Sequence, residues 1–404
     1  MLFVNRENKM TLEFSLSQNQ TKSFTLTSAA HNIELGNWEI SNHQLGIEDV
    51  LFSIQQICLH GGKQEGSRLI IIKCPDGLTI TLSPTRGMNV IEATAPGIRL
   101  GWDSPVKEIV NPTFINLQSR NGTGWLEGFN EMMVRCGYEW SGHPFTDTNG
   151  ELYSLHGKAG NTPASEVIVE IDTLFPYEIK IKGLIKENTF KKTDLHVLTE
   201  LSYIPGSHSF TLHDRLTNHA DYSHPYQIIY HSNFGKPLLE KDAKFIAPVK
   251  EISPFNNYAQ NGLDNWQTYR EPTKDFDEMV FNIIPYTKKD GSTMAALHNK
   301  NENKGVSIEF NTKQLPFLTL WKNTDTEKQG YVTGIEPGTN FAYPMKIERE
   351  QGRLKKLHAG KTVEFKLRYN ALLDRQAVEI TKKEITNIQG NQETQINQKP
   401  VAQE

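Results

Sequence analysis

The 404-residue sequence is poor in features that would each indicate a class of protein. Its three cysteines, Cys58, Cys74 and Cys136, form no CxxC pair, which argues against a disulfide framework and against a cysteine zinc site. No run of about 18 apolar residues predicts a membrane-spanning helix. The chain starts with four apolar residues before Asn5, too few for the hydrophobic region of a signal peptide, so we expect a cytoplasmic protein.

An excess of charge of one sign is also missing. Lysine and arginine number 43 against 47 aspartates and glutamates, a formal net charge of −4 with acids and bases interspersed. Such a chain lacks the basic surface that neutralises a phosphate backbone, so we expect neither nucleic acid nor membrane as a partner. Five histidines crowd one region, but their spacing fits neither HxH nor HExxH, and we predict no metal site. These are His208, His213, His219, His224 and His231.

Three common nucleotide-binding or catalytic motifs are absent as well. The sequence has no GxGxxG between a strand and a helix, no GxxxxGK[ST] and no GxSxG. This excludes the usual dinucleotide-binding, P-loop and α/β-hydrolase classes.

Short β-branched and aromatic runs, closed by Gly, Pro, Asn or Asp, are abundant instead. Several alternate with period two, as half-buried antiparallel strands do. The sequence therefore predicts an all-β protein, a large antiparallel β-sandwich with few short helices. The runs lie at 67–73, 77–84, 165–175, 177–187, 196–204, 208–218, 279–286, 292–299, 305–311, 317–323 and 361–373.

Domain boundaries and helices follow from the rest of the pattern. No linker-like break occurs between residues 22 and 380, which predicts one sandwich domain there after an N-terminal extension over 1–21. The best helical periodicity lies at 46–57, and a second short helix is predicted at 127–136. The stretch 381–404 is rich in Gln and Asn and has few apolar residues to offset its ordering entropy, so we predict a disordered polar tail.

Two histidine segments lie where we expect loops at strand ends, which often carry functional residues. LHGKAGNTPA contains His156 and Asn161, and YHSNFGKP contains His231 and Asn233. Imidazole and amide groups together supply donors and acceptors for a polyol. Either histidine alone could equally be part of a structural turn.

A carboxylate and a set of arginines and tryptophans complete the candidate site. Glu336 stands in GIEPGTN, where a proline fixes the backbone, and it could serve as a general base if partial burial raises its pKa. Its alternative role is to stabilise the turn. Sugars expose hydroxyls at their edges and C–H bonds on their faces, so we expect polar groups and indole platforms to line the pocket. The predicted substrate-binding residues are Arg86, Arg135, Asn161, Asn233, Trp102, Trp125 and Trp321.

Taken in order, these segments resemble a known family. The chain is similar to the aldose 1-epimerase, or galactose mutarotase-like, superfamily, and within it to a branch described as a domain of unknown function, DUF4432. The resemblance spans about residues 80–370 and is carried by LSPTRGMNV, GWDSPV, GWLEGFNEMMVRCG, LHGKAGNTPA, YHSNFG, GIEPGTN and LHAGKTVEFKLRY. It implies the sandwich fold and a small-molecule carbohydrate as ligand.

The resemblance also implies a reaction. Glu336 would remove the proton from the anomeric hydroxyl, His231 would protonate the ring oxygen, and His156 would hold the substrate. Arg135 lies upstream of His156, as a sugar-binding arginine does in the family. Acid and base both regenerate, so no cofactor is expected.

Two alternatives stay open at this point. The protein could be a carbohydrate-binding or sensing module without turnover, or an isomerase or epimerase that acts at another sugar carbon. An enzyme should hold Glu336 and His231 facing each other across a sugar-sized gap. A binding module could instead bury Glu336 in a salt bridge away from both catalytic histidines.

Overall fold

A computed structural model describes residues 20–402 of the chain. The strands in this range are β1 Thr21–Ser28, β2 Ile33–Glu34, β3 Trp38–Ser41, β4 Ser53–Cys58, β5 Arg68–Lys73, β6 Thr79–Ser83, β7 Asn89–Ala95, β8 Ile98–Leu100, β9 Met133–Tyr138, β10 Phe145–Thr146, β11 Leu152–Tyr153, β12 Glu166–Asp172, β13 Ile179–Asn188, β14 Asp194–Tyr203, β15 Ser209–Asn218, β16 His224–Phe234, β17 Lys244–Ile246, β18 Val249–Pro254, β19 Met279–Pro285, β20 Ser292–His298, β21 Gly305–Asn311, β22 Phe317–Asn323, β23 Val332–Gly338, β24 Lys355–Leu357, β25 Thr362–Leu372 and β26 Gln395–Ile396. The α-helices are α1 Ser119–Gly122, α2 Asn257–Gln260, α3 Met345–Glu350 and α4 Arg375–Gln389.

Two large sheets form the sandwich. Over residues 20–402 the first has ten strands in the order β17-β20-β21-β25-β15-β14-β13-β12-β1-β2. The second has 14, in the order β26-β18-β19-β22-β23-β16-β9-β7-β6-β5-β4-β3, with β24 beside β16 and β8 beside β7. Paired strands in this part of the chain are antiparallel except β18 and β26. One apolar core, with buried residues from both sheets, lies between them.

Burial along the strands shows which faces are covered. In β13 and β14 every second residue is buried, because one face meets the core and the other meets solvent. In β16 and β23 nearly every residue is buried. These central strands of the second sheet face the core on one side, and on the other they face a second apolar cluster. Polar residues on that second face are therefore enclosed.

The predicted fold class is confirmed, but both predicted helices are wrong. Residues 46–57 run into β4, where Ile54 and Gln56 are buried in alternation and the strand pairs with β3 and β5. Residues 127–136 contain the end of a 3₁₀ turn, Gly124–Gly128, and the start of β9. Sheet pairing on both sides outweighs a short helical periodicity. No helix within residues 20–402 is long and apolar enough to span a membrane.

The predicted disordered tail is also wrong where the structure describes it. Asp374 caps α4 by accepting a hydrogen bond from Ala377 N at 2.8 Å, and the helix buries Val378, Ile385 and Ile388. After the helix, β26 joins the edge of the second sheet. An apolar stripe at helical spacing therefore anchors a segment whose overall composition is polar. The predicted extension over 1–21 lies outside the described residues except for its last two positions.

Candidate functional site

A cavity of ≈ 370 Å³ lies on the face of the second sheet that turns away from the core, a volume in the range of small-molecule sites. Its floor comes from β16, β22 and β23. Its walls come from the segments before and after β9, the loop before β12, the start of β19 with the residue before it, and the segment after β23. We call it the sheet-face cavity. The lining includes Trp125, Phe129, His143, His156, His231, Glu278, Thr319, Trp321 and Glu336.

Strand alternation and register bring the floor residues together. Thr319 of β22 pairs with Glu336 of β23, and Trp321 pairs with Gly334. Because successive side chains of a strand point to opposite faces, Gly334 and Glu336 share the face of the cavity. A Cβ atom at Gly334 would lie 2.3 Å from Glu336 Oε1 and 3.2 Å from His231 Cε1. Glycine at this position therefore leaves room for the carboxylate and the imidazole.

His156 reaches the cavity from a loop whose backbone is closely packed. It adopts a left-handed conformation with φ of 59°, its N–H donates to Gly142 O at 2.8 Å, and its carbonyl accepts from Gly137 N at 3.0 Å. A Cβ atom on Gly157 would lie 2.3 Å from Trp140 O. Glycine is thus required at position 157, and the loop presents the His156 imidazole to Trp125, with ring centroids 4.8 Å apart.

The orientation of His231 is set by Asn233, two residues along β16. His231 Nδ1 lies 2.7 Å from Asn233 Oδ1. The Asn233 amide nitrogen donates to the Glu131 carbonyl at 3.1 Å, so its oxygen is an acceptor and His231 Nδ1 carries a hydrogen. This leaves His231 Nε2 facing the cavity, 3.3 Å from Glu336 Oε1.

Burial disfavours charge on both members of the Glu336–His231 pair. It raises the pKa of Glu336 well above its ordinary value, and the nearby negative charge of Glu278 adds to the effect. Burial also lowers the pKa of His231 to about 4. Neither a lone carboxylate nor a lone imidazolium is favourable here, so the Glu336–His231 pair as a whole binds one proton and is neutral. Burial lowers the pKa of His156 well below its ordinary value, and that imidazole is uncharged.

Four buried polar atoms around the cavity have no hydrogen-bond partner among the described residues. They are Trp125 Nε1, His156 Nδ1, Thr319 Oγ1 and Glu336 Oε1. Buried polar groups are nearly always hydrogen-bonded, so a cluster of unpartnered ones in one cavity indicates a place for a polar ligand. Within residues 20–402, no group of three or more His, Cys, Asp or Glu side chains is arranged to hold a metal ion.

Comparison with known proteins agrees with this fold. The family model for a domain of unknown function, DUF4432, matches residues 64–371. The chain belongs to the DUF4432 family. No curated protein matches it.

Two solved structures extend the comparison of the DUF4432 chain. One is a protein from Klebsiella pneumoniae subsp. pneumoniae MGH 78578, whose name as an aldose 1-epimerase is itself an inference. It is 62% identical to this chain, and the two superpose with a TM-score of 0.94 over 95% of this chain and 100% of that one. A galactose mutarotase-like protein from Clostridium acetobutylicum is 13% identical, with a TM-score of 0.54 over 80% of this chain and 98% of that one. The chain therefore has the galactose mutarotase-like sandwich fold.

The two arginines predicted to bind substrate do not line the sheet-face cavity of the DUF4432 chain. Arg135 Nε and Nη2 donate to Asp214 at 2.6 and 3.0 Å, so this ion pair joins the second sheet to the first through the core. Arg86 Nη2 donates to Glu131 at 2.8 Å, and both side chains are buried. Arg135 points to the core because it alternates with Val134 and Cys136, which face the cavity side.

Three other predicted contacts also lie outside the lining. Trp102 Nε1 donates to the Glu131 carbonyl at 3.1 Å, and its ring packs 4.9 Å from that of Phe129. Asn233 orients His231, as described above. The side chain of Asn161 has no hydrogen-bond partner in the described part of the chain and does not line the cavity. Trp102 and Asn233 therefore hold the lining residues Phe129 and His231 in place without lining the cavity themselves.

Of the predicted site residues, His156, His231, Glu336, Trp125 and Trp321 come together in the cavity. His231 and Glu336 lie within strands, whereas the sequence placed them at strand ends. Sequence reasoning missed Thr319 and Glu278. Thr319 had a usable signal, since it precedes Trp321 by two residues and shares its face in the predicted strand 317–323. Glu278 immediately precedes a predicted strand and carries no comparable signal.

Proposed function

We propose that this chain is a carbohydrate-active enzyme of the aldose 1-epimerase type, which interconverts the anomers of a hexose or hexose derivative by opening and closing the ring. The observation that carries the proposal is the contact of Glu336 with His231, 3.3 Å apart, in a cavity with unpartnered polar walls. The name given to the 62% identical Klebsiella protein supports the same activity.

The Glu336–His231 pair is suited to move two protons at once. In its Glu336 carboxylate and His231 imidazolium form, Glu336 takes the proton of the anomeric hydroxyl while His231 Nε2 gives its proton to the ring oxygen. The bond from C1 to the ring oxygen breaks and C1 becomes a carbonyl carbon. Rotation about the C1–C2 bond and the reverse transfers close the ring to the other anomer. The pair ends with the one proton it began with.

The short separation of the two groups fits this chemistry. The anomeric oxygen and the ring oxygen are bonded to the same carbon, so the groups that act on them must be neighbours. The expected sugar-sized gap between Glu336 and His231 is therefore replaced by direct contact, with the sugar placed over the pair. Glu336 Oε1 has no aligned hydrogen bond to any residue in 20–402, so its hydrogen-bonding capacity is unused there.

The remaining cavity groups would hold the sugar. Trp125 and Trp321 offer ring faces to C–H bonds, while Trp125 Nε1 and Thr319 Oγ1 offer hydrogen bonds to hydroxyls. His156 Nδ1 is a further polar contact, and we assign it to binding the substrate.

The decisive experiment is NMR saturation transfer between anomers over a panel of hexoses and hexose derivatives in D₂O. Accelerated exchange between α- and β-anomers, lost in Glu336→Gln, is the expected result. Deuterium at C2 would reveal proton abstraction from carbon and hence epimerisation or isomerisation elsewhere on the sugar. Sugar binding with no exchange in the wild type would refute the proposal in favour of a binding module.

A further inference from the structure

The described lining of the sheet-face cavity has carboxylates and histidines but no permanently charged base. Among its described lining residues are two carboxylates, Glu278 and Glu336, and none is a lysine or an arginine. Arg86 and Arg135 are held in buried ion pairs elsewhere. The cavity therefore offers no fixed cation to an anionic ligand.

Glu278 is held in place at the mouth of the cavity. Its side chain is exposed, and its Oε2 accepts a hydrogen bond from Trp321 Nε1 at 2.7 Å. Trp321 in turn packs against His231, with ring centroids 5.4 Å apart. Glu278 Oε1 makes no hydrogen bond or ion pair to the described residues. One carboxylate oxygen is thus fixed by the indole, and the other is available as an acceptor beside the reacting pair.

We infer that Glu278 is a specificity-determining residue, which accepts a hydrogen bond from a sugar hydroxyl other than that on C1 and rejects sugars that carry a phosphate or carboxylate group. An ionised carboxylate only accepts hydrogen bonds, so it suits a hydroxyl and repels an anion. No lysine or arginine among the described lining residues offsets that repulsion. The statement that the hydroxyl is one other than that on C1 rests on the proposed function, but the selection of neutral over anionic sugars does not.

The test is equilibrium binding, followed by tryptophan fluorescence, of Glu278→Gln and the wild type. Glutamine keeps an acceptor for Trp321 Nε1 and removes the charge. The probes are glucose and galactose, their 6-phosphates, and the corresponding 6-carboxylates. The matched control is Glu271→Gln, which removes an exposed carboxylate that pairs with Lys241 at 3.5 Å and does not line the cavity.

We expect the wild type and Glu271→Gln to bind at least one neutral sugar about tenfold or more tightly than its charged derivatives. In Glu278→Gln that preference should fall to about threefold or less, through weaker binding of the neutral sugar and tighter binding of the anions. An unchanged preference in Glu278→Gln, stronger binding of the anions by the wild type, or no binding of either neutral sugar would overturn the inference. Circular dichroism confirms that each variant is folded.

These outcomes separate the inference from the proposed function because binding does not require turnover. A wild type that binds neutral sugars selectively but does not exchange their anomers would refute the proposed function alone. Anomer exchange with equal preference for neutral and anionic sugars would refute the role of Glu278 alone.

Discussion

Replacing both members of the Glu336–His231 pair tests whether they transfer protons as one unit. Glu336→Gln and His231→Asn should each lower turnover by about 10²- to 10⁴-fold, the usual range for loss of a general acid or base. His231 Nε2 and Glu336 Oε1 lie 3.3 Å apart and the pair binds one proton, so either change disables the whole transfer. The double variant should therefore lose no more than the worse single variant, as groups that act together do.

The assay is NMR saturation transfer with the sugar that the wild type turns over fastest. The matched control is the exposed pair His213 and Glu364, whose Nε2 and Oε2 lie 3.1 Å apart on the first sheet. His213→Asn and Glu364→Gln, singly and together, should leave turnover within about twofold, because exposed pairs contribute little. If the loss in the double variant equals the product of the two single losses, the shared proton is refuted.

The same variants should change the pH dependence of stability. In the folded protein the pair keeps one proton, whereas in the unfolded chain the ordinary values of 4.5 for Glu336 and 6.5 for His231 leave none above pH 6.5. The stability that this proton contributes is lost as pH rises from 6.5 through the pKa of the folded pair. Glu336→Gln has no such proton to lose. As pH rises above 6.5, the melting temperature of the wild type should therefore fall relative to that of Glu336→Gln. A lower melting temperature at every pH would indicate structural damage instead.

Three further changes have defined outcomes. Gly334→Ala places a Cβ atom 2.3 Å from Glu336 Oε1, so it should displace the carboxylate. Turnover in the anomer-exchange assay should fall by about 10²-fold or more while the protein stays folded. Full turnover would show that the position of the carboxylate is not critical. Burial raises the pKa of Glu187 from 4.5 to about 7, so the stability of the wild type is lost as pH rises through that range. At pH 8, Glu187→Gln should be more stable than the wild type by on the order of 3 kcal/mol in urea unfolding. Parallel pH profiles of the two proteins would contradict the burial effect. Ile385→Ala should lower the free energy of unfolding by about 2 kcal/mol in the same urea experiment, since this side chain lies on the buried face of α4. No loss would mean that the helix does not anchor the C-terminal segment.

Local sequence patterns predict much of the fold. Runs such as 177–187 and 196–204 alternate in sequence and appear as β13 and β14 with every second residue buried. The tail had a signal that its composition concealed, because Asp374 at the N-cap and apolar residues at 378, 385 and 388 form a helical stripe. The polar average over 381–404 hid that stripe, which shows that periodicity should be tested before composition is used to predict disorder.

The site was accessible to sequence reasoning only in part. His156, His231 and Glu336 were singled out as candidate residues and matched to an ordered set of family motifs, and they do line one cavity. The two arginines, predicted from residue type and, for Arg135, also from its place upstream of His156, are engaged in ion pairs elsewhere. Residue type does not say which face of a strand a side chain occupies, and a shift of one residue reverses the face.

The sequence by itself determined the β-sandwich class, the exclusion of nucleotide-binding motifs and the three residues at the centre of the proposed chemistry, because each depends on local pattern or motif order. Only the tertiary structure decided that Arg135 crosses the core to Asp214, that Glu336 contacts His231 directly, and that Glu278 stands at the cavity mouth. These contacts join residues 79, 105 and 43 positions apart. Their distances depend on the pairing order and register of the sheets, which no local stretch of sequence contains.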